Sequence, residues 1–341
     1  MTMAGAQQNR CAPAPDRESG WGVMADDPAL EDLGFARSVP PGGYAWWYLD
    51  AISDDGREAL SLIAFVGSVF SPYYAWSGRR DAEAHCAVNL ALYSPRSARW
   101  TMTERGSAAL TREPGRYALG PSSLSWDGSA LTAEIHELAF PRMTSVRGKL
   151  RVVPEALYEQ RFTIDREGKH GWWPIAPRVR VEARFEKPAL TWQGWGYLDC
   201  NWGSLMLEQS FSRWDWSRGA GASRDYVLYD TWELGDGDGS GATRSLALAF
   251  DRKGGIESFD PPPEAPLPAT LWRVPRRTRS EDPARTRVRR TLLDAPFYAR
   301  SDLESVLGGE AVHGTHESLA LTRFANPLVK LMLPFRMPRR A

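Results

Sequence analysis

Three stretches of this sequence set an ionisable group directly among aromatic rings. Gly43–Asp50 reads Gly-Tyr-Ala-Trp-Trp-Tyr-Leu-Asp, and Lys169–Pro174 reads Lys-His-Gly-Trp-Trp-Pro. Gly194–Gly203 reads Gly-Trp-Gly-Tyr-Leu-Asp-Cys-Asn-Trp-Gly and is followed by Trp214-Asp215-Trp216-Ser217-Arg218. Asp199 is the central group. A carboxyl enclosed by rings loses hydration, which disfavours its charged form and lifts its pKa above the ordinary ~3.9. Such an acid is protonated near neutrality and can donate that proton in catalysis. In a glycine-rich turn the same Asp can instead accept backbone N–H bonds, which pulls its pKa down. The sequence leaves both readings open. His170 is open between a base, an orienting partner and a satisfied core histidine. Trp172 and Tyr197 are either packing residues or parts of a site. Trp46, Trp47, Trp195 and Trp202 are candidates to line a pocket for something large and apolar. Asn201 and Arg218 fit structural hydrogen-bonding roles.

Other chemistries find little material. There is no GxSxG elbow, phosphate-binding loop or HExxH. The three cysteines, Cys11, Cys86 and Cys200, are widely spaced and form no CxxC pair, so neither a disulfide framework nor a zinc site is expected. That usage fits a reducing compartment. His313, His316 and Glu317 lie close together but need a further ligand, and no metal is expected there. Gly235–Gly241 lacks the closing Glu of a calcium loop. Lys plus Arg and Asp plus Glu both number 42, and a net charge of zero gives no pull toward nucleic acid. Arg285–Arg290 reads as a solvated strand face or a contact to anionic lipid. Residues Phe324–Arg340 mix apolar and basic side chains with no acid and several prolines. That pattern suits a final strand or a membrane-surface contact, not a long helix.

These groups need elements to position them. The chain has 341 residues, enough for two domains with sizeable cores. It holds 15 Trp, which suits many half-buried amphipathic positions. Residues 1–38 read as a flexible tail ending at the Pro40-Pro41-Gly42-Gly43 turn cluster. After it, Leu60–Phe70, His85–Tyr93 and Leu246–Phe250 are strand-like. Val179, Val181, Ala183 and Phe185 alternate cleanly with charged residues. Asp54-Asp55-Gly56 and Asp127-Gly128 are hairpin signals. The best short helix is Ser301–Leu307, with Ser301 and Glu304 at capping-box spacing. The pattern predicts an all-β chain of two antiparallel barrels or sandwiches, over residues 39–188 and 189–341, divided near Lys187-Pro188. No apolar run reaches the ~18 residues a membrane helix needs, and no secretory leader is visible.

In its motifs the sequence resembles the carotenoid 1,2-hydratases, also called hydroxyneurosporene synthases, of photosynthetic bacteria. The marks are Tyr44–Asp50, Phe65–Trp76, Gly196–Gly203 and the ending Leu331–Pro338, in that order along nearly the whole chain from Pro40. The resemblance implies two tandem lipocalin-like β-barrels. It implies cofactor-free addition of water to the terminal C1–C2 double bond of an acyclic carotene such as neurosporene or lycopene. It also implies that Asp199 is the acid–base residue, with Tyr197 two positions before it and His170 and Trp172 assisting. Cys200 stands where the wider superfamily often has His. The expected partners are an acyclic carotenoid and, because that substrate resides in a bilayer, a membrane surface, with no nucleic acid. The expected location is cytoplasmic, at the inner face of a photosynthetic membrane. The rival readings are a non-catalytic carotenoid or lipid carrier and another cation-forming terpenoid lyase or isomerase on the same fold.

Overall fold

A computed structural model describes residues 32–96, 98–235 and 241–340. Residues 1–31, Cys11 among them, and the 236–240 part of the glycine-rich loop lie outside the described residues. Twelve strands make up the first half in chain order: β1 Tyr44–Ser53, β2 Ala59–Val66, β3 Cys86–Tyr93, β4 Arg99–Arg105, β5 Leu110–Glu113, β6 Arg116–Leu119, β7 Ser122–Trp126, β8 Leu131–Ala139, β9 Thr144–Pro154, β10 Phe162–Thr163, β11 His170–Lys187 and β12 Leu190–Gly203. The second half holds β13 Phe211–Ala220, β14 Arg224–Glu233, β15 Thr243–Asp251, β16 Ile256–Ser258, β17 Glu264–Pro266, β18 Arg277–Arg279, β19 Arg287–Asp294, β20 Tyr298–Leu307, β21 Glu310–Ala320 and β22 Arg339–Arg340. The helices are short: α1 Pro72–Trp76, α2 Leu207–Ser210, α3 Leu321–Phe324 and α4 Pro327–Met332.

The first sheet runs β4-β3-β2-β1-β12-β11-β9-β8, and β8 meets β4 again at Ala139 and Thr101, so these eight strands close on themselves. Closure pairs the two outer strands of this eight-strand ring with each other. Strands β7, β6 and β5 continue beyond β8. The second sheet runs β16-β15-β14-β13-β21-β20-β19, with the β17–β18 hairpin beside it. Every pairing is antiparallel except that of β22, which runs parallel to β4 and returns the C-terminal segment to the first sheet.

The alternating segments form the strands expected of them. Val179, Val181, Ala183 and Phe185 of β11 are buried, and the turns at Gly56 and Gly128 take positive φ between β1 and β2 and between β7 and β8. Three expectations differ from the structure. Lys187-Pro188 is the turn of the β11–β12 hairpin, so β12 belongs to the first sheet, and the change of sheet falls after Gly203. Ser301–Leu307 is strand within β20, because β19 and β21 both hydrogen-bond to it. Burial on both faces hides its period of two, and the Ser–Glu spacing there is incidental. Residues 32–38 are not part of a loose tail. Leu33 and Phe35 are fully buried, and the Trp47 indole donates to the Leu33 carbonyl at 2.7 Å.

Candidate active site

Strands β1 and β12 lie side by side in a register that sets Tyr48 opposite Asp199, Asp50 opposite Tyr197 and Trp46 opposite Asn201. Successive strand residues point to opposite faces. Trp46, Tyr48, Asp50, Tyr197, Asp199 and Asn201 therefore share one face, and Trp47, Leu49, Leu198 and Cys200 share the other. The Trp47 face turns into the closed ring, where Trp47 packs on Phe35 and on Tyr117 of β6. The Tyr48 face turns toward the second sheet, and Trp216 of β13 meets the Tyr48 ring edge-on at 5.5 Å.

A cavity of about 300 Å³ lies between the two sheets. Trp46, Tyr48 and Asp199 line it from the first sheet, and Trp214, Trp216 and Tyr229 from the second. Its wall is overwhelmingly apolar. The few polar groups that reach it include Asp199, Asn201 and Glu317.

Asp199 is almost fully buried. Its Oδ2 accepts from the Trp172 indole N–H and from the Tyr197 hydroxyl, both at 2.9 Å. Its Oδ1 has no hydrogen-bond partner among the described residues. Burial pushes the carboxyl up to about 8 against the lowering pull of those two donors, and the nearby charges of Glu317 and Asp50 raise it further. The acid is thus predominantly protonated near neutrality. With Oδ2 occupied by two donors, Oδ1 is the oxygen left free to carry a proton. Of the two readings left open by the sequence, desolvation dominates, and no backbone turn compensates it.

A second polar group starts beside Asp199 on β1 and reaches the second sheet. The Tyr48 hydroxyl lies 2.8 Å from Glu317 Oε1 and 3.0 Å from Asp50 Oδ2. Arg300 donates to both Tyr48 and Glu317. Arg218 Nε donates to Asp50 Oδ1 at 2.7 Å. Each buried charge therefore has a counter-charge, as burial requires.

The expected site residues divide. Asp199, Tyr197 and Trp172 come together, but Tyr197 and Trp172 hold the carboxyl from behind and do not line the cavity. His170 is farther along β11, opposite Gly203. One ring nitrogen lies 2.9 Å from the Tyr44 hydroxyl and the other 2.8 Å from Ser210 Oγ. Burial pushes its imidazole down to about 4, so it is neutral. It does not line the cavity and reaches its wall through Tyr44, whose ring stacks on Trp46 at 4.8 Å, and through Phe211, which packs on Trp214. Of the four candidate lining tryptophans, Trp46 alone faces the cavity. Trp47 points into the ring. Trp202 lies under the Arg37 guanidinium at 3.7 Å, also on the far face of β12. Trp195 shares the Asp199 face but sits four residues away, roughly 13 Å along the strand, between Arg178 and Arg180. Strand alternation already forbids adjacent Trp46 and Trp47 from lining the same cavity, a signal the pairing of the two overlooked.

Tyr48, Tyr229 and Glu317 were missed. Tyr48 was legible from its spacing of two from Trp46 and Asp50. Glu317 was obscured by its histidine neighbours. In the strand it faces the cavity, whereas His316 faces away, between Ser217 and Ser318, and His313 pairs with Asp302.

A closed antiparallel barrel joined to a second antiparallel sheet, with a buried carboxyl in an aromatic cavity between them, defines a lipocalin-like protein. Its fold is like that of an AttH protein from Nitrosomonas europaea, whose crystal structure aligns over 82% of this chain and 92% of that one, with a TM-score of 0.53 at 14% identity. Residues 62–341 match the family described as carotenoid hydratase CrtC. The chain is 53% identical over 309 residues to an acyclic carotenoid 1,2-hydratase from Thiocapsa roseopersicina, covering 89% of this chain and 75% of that one. It is 48% identical over 313 residues to the enzyme of the same name from Rubrivivax gelatinosus, covering 90% of this chain and 76% of that one. The chain belongs to the carotenoid hydratase family.

Proposed function

We propose that this protein is an acyclic carotenoid 1,2-hydratase, a hydro-lyase of carotenoid biosynthesis that adds water to the terminal C1–C2 double bond without a cofactor, and that Asp199 is its acid and base. The observation that carries the assignment is the buried Asp199 carboxyl in an aromatic cavity, its Oδ1 without a hydrogen-bond partner among the described residues and its pKa pushed up by burial. An isopropylidene end is unactivated, and its hydration begins with a proton. Asp199 gives the Oδ1 proton to the less substituted carbon, which leaves a tertiary carbocation and an Asp199 carboxylate. Trp172 and Tyr197, both donors to Oδ2, stabilise that carboxylate as it forms. The cation is faced by the rings of Trp46, Tyr48, Trp214, Trp216 and Tyr229, each worth about 0.5–2 kcal/mol depending on desolvation. This role falls to cavity-lining rings and not to Trp172 and Tyr197. Water adds to the cation, and the excess proton returns to Asp199, so the acid is restored and the net change is one added water. His170, both ring nitrogens engaged, positions Tyr44 and Trp46.

The substrate is a long apolar polyene, and a cavity of about 300 Å³ takes one end of it. Such a substrate is supplied from a bilayer, so the protein works at a membrane surface. No helix among the described residues is long and apolar enough to cross one.

The test is incubation of the purified protein with neurosporene or lycopene dispersed in lipid, in isotopically labelled water, without added cofactor or metal. A pigment heavier by one labelled water supports the reading. Binding without a mass change by folded protein makes it a carrier, and an isomer of unchanged mass makes it a different cation-forming enzyme.

A further inference from the structure

The C-terminal segment carries its apolar side chains on the wrong side for a soluble protein. Residues 327–336 form α4 and a following helical turn. Val329 and Leu333 face inward, four residues apart, and line the cavity. Leu328, Leu331, Met332 and Phe335 are spaced by three, one and three residues, which places them on one helical face. That face points to solvent: Leu328 is 70% exposed and Phe335 77%. Beside it the loop Leu271-Trp272-Arg273 exposes Leu271 almost entirely, at 91%. Arg323 of α3 clamps this loop by donating to the carbonyls of Trp272 and Arg273 at 2.9 Å. Trp272 and Met332 are at once exposed and part of the cavity wall, so the cavity opens between them onto the patch.

Cations predominate around the patch, although Lys330 pairs with Glu208, Arg339 pairs with Glu104 and Asp294 accepts from the Trp272 backbone N–H. Residues 321–341 include Arg323, Lys330, Arg336, Arg339 and Arg340 and no acid. Arg273, exposed on the loop, adds another cation, with no ion pair among the described residues. An apolar face bordered by an excess of cations and continuous with a cavity for a water-insoluble chain fits a lipid bilayer with anionic headgroups.

We propose that the α4 face and the Leu271–Trp272 loop form a bilayer-docking rim, through which the end of the substrate passes from the membrane directly to Asp199. This deepens the hydratase reading and rests on it for the identity of the substrate, but docking itself is measured without turnover. The rim sinks Leu328, Leu331, Phe335 and Leu271 below the headgroups, while Arg336 and Arg273 remain at phosphate level. The substrate then never crosses water.

The experiment is flotation of the full chain with substrate-free vesicles of phosphatidylcholine and phosphatidylglycerol, for wild type, Leu328→Ser/Leu331→Ser and Leu271→Ser. Each leucine removed is expected to weaken vesicle binding on the order of tenfold. Omitting phosphatidylglycerol or raising salt is expected to weaken binding of the wild type. Hydration is then compared for carotene embedded in vesicles and carotene dispersed in detergent. The variants are expected to lose the first and keep the second, which also shows that they are folded. Unchanged vesicle binding by the variants, absence of vesicle binding by the wild type, or equal loss of activity in both dispersions each overturns the docking rim. Absence of hydration by the wild type in detergent, with vesicle binding intact, overturns the hydratase reading and leaves the rim standing.

Discussion

Asp199 couples function and stability through one proton. Its carboxyl is lifted to about 8 in the folded chain, whereas an unfolded Asp titrates near 3.9. Below pH 4 both states hold the proton and the group has no differential effect. Between about pH 4 and 8 the folded state keeps the proton that the unfolded state releases, so the stability contribution falls as pH rises, by about 1.4 kcal/mol per unit for a single site. Asp199→Asn keeps an oxygen for Trp172 and Tyr197 but has no acidic proton. Its hydration rate is expected to drop by at least about 10²–10⁴-fold, with substrate binding retained. Denaturant unfolding at pH 5 and pH 8 is expected to show the variant gaining stability over wild type at the higher pH. Wild-type activity is expected to fall as pH rises through about 8, as the acid is lost. A variant that turns over normally, or a wild-type rate still climbing above pH 9, would contradict the acid assignment.

At the scale of elements, strand alternation decides which side chains meet the substrate. It was legible in the second half of β11, where apolar and charged residues interleave from Arg178 to Phe185, and in the Trp214-Asp215-Trp216 segment of β13. It was hidden in β20, buried on both faces, where a serine and a glutamate at capping distance imitated a helix start. The barrel closure at Thr101–Ala139 and the pairing of β1 with β12, about 150 residues apart, leave no local mark, because registers between distant strands are set by packing. The glycines of the Gly194–Gly203 motif do leave one. A Cβ on Gly196 would stand 2.1 Å from the Asp50 carbonyl oxygen, which belongs to backbone and cannot rotate away. Gly196→Ala therefore has to push β12 off β1 beside the Tyr48–Asp199 row. It is expected to lower stability by about 1–3 kcal/mol and to reduce turnover of folded protein more than its affinity for the carotene. Equal stability in a thermal melt, with unchanged turnover, would show that the close approach is not needed.

Across the whole molecule the proposed catalytic cavity belongs to neither sheet alone. The acid and the donors that hold it come from β11 and β12, while Trp214, Trp216, Tyr229 and Glu317 come from the second sheet. The seam is tied by buried charge: Asp50 of β1 to Arg218 of β13, and Tyr48 of β1 to Arg300 and Glu317 of β20 and β21. A site built this way is intact only while both sheets are docked, so the two halves are expected to unfold in one transition by fluorescence and by circular dichroism alike. Arg218→Met leaves the Asp50 carboxylate buried without its partner and is expected to cost about 3–5 kcal/mol. Adding Asp50→Asn to it removes the stranded charge and is expected to recover most of that loss. The double variant also takes away one of the charges that raise Asp199. Its rate is therefore expected to begin falling at a lower pH than in wild type. Recovery of stability without that acid-side displacement would mean that the Asp50–Arg218 pair holds the sheets together and has no hand in tuning the acid.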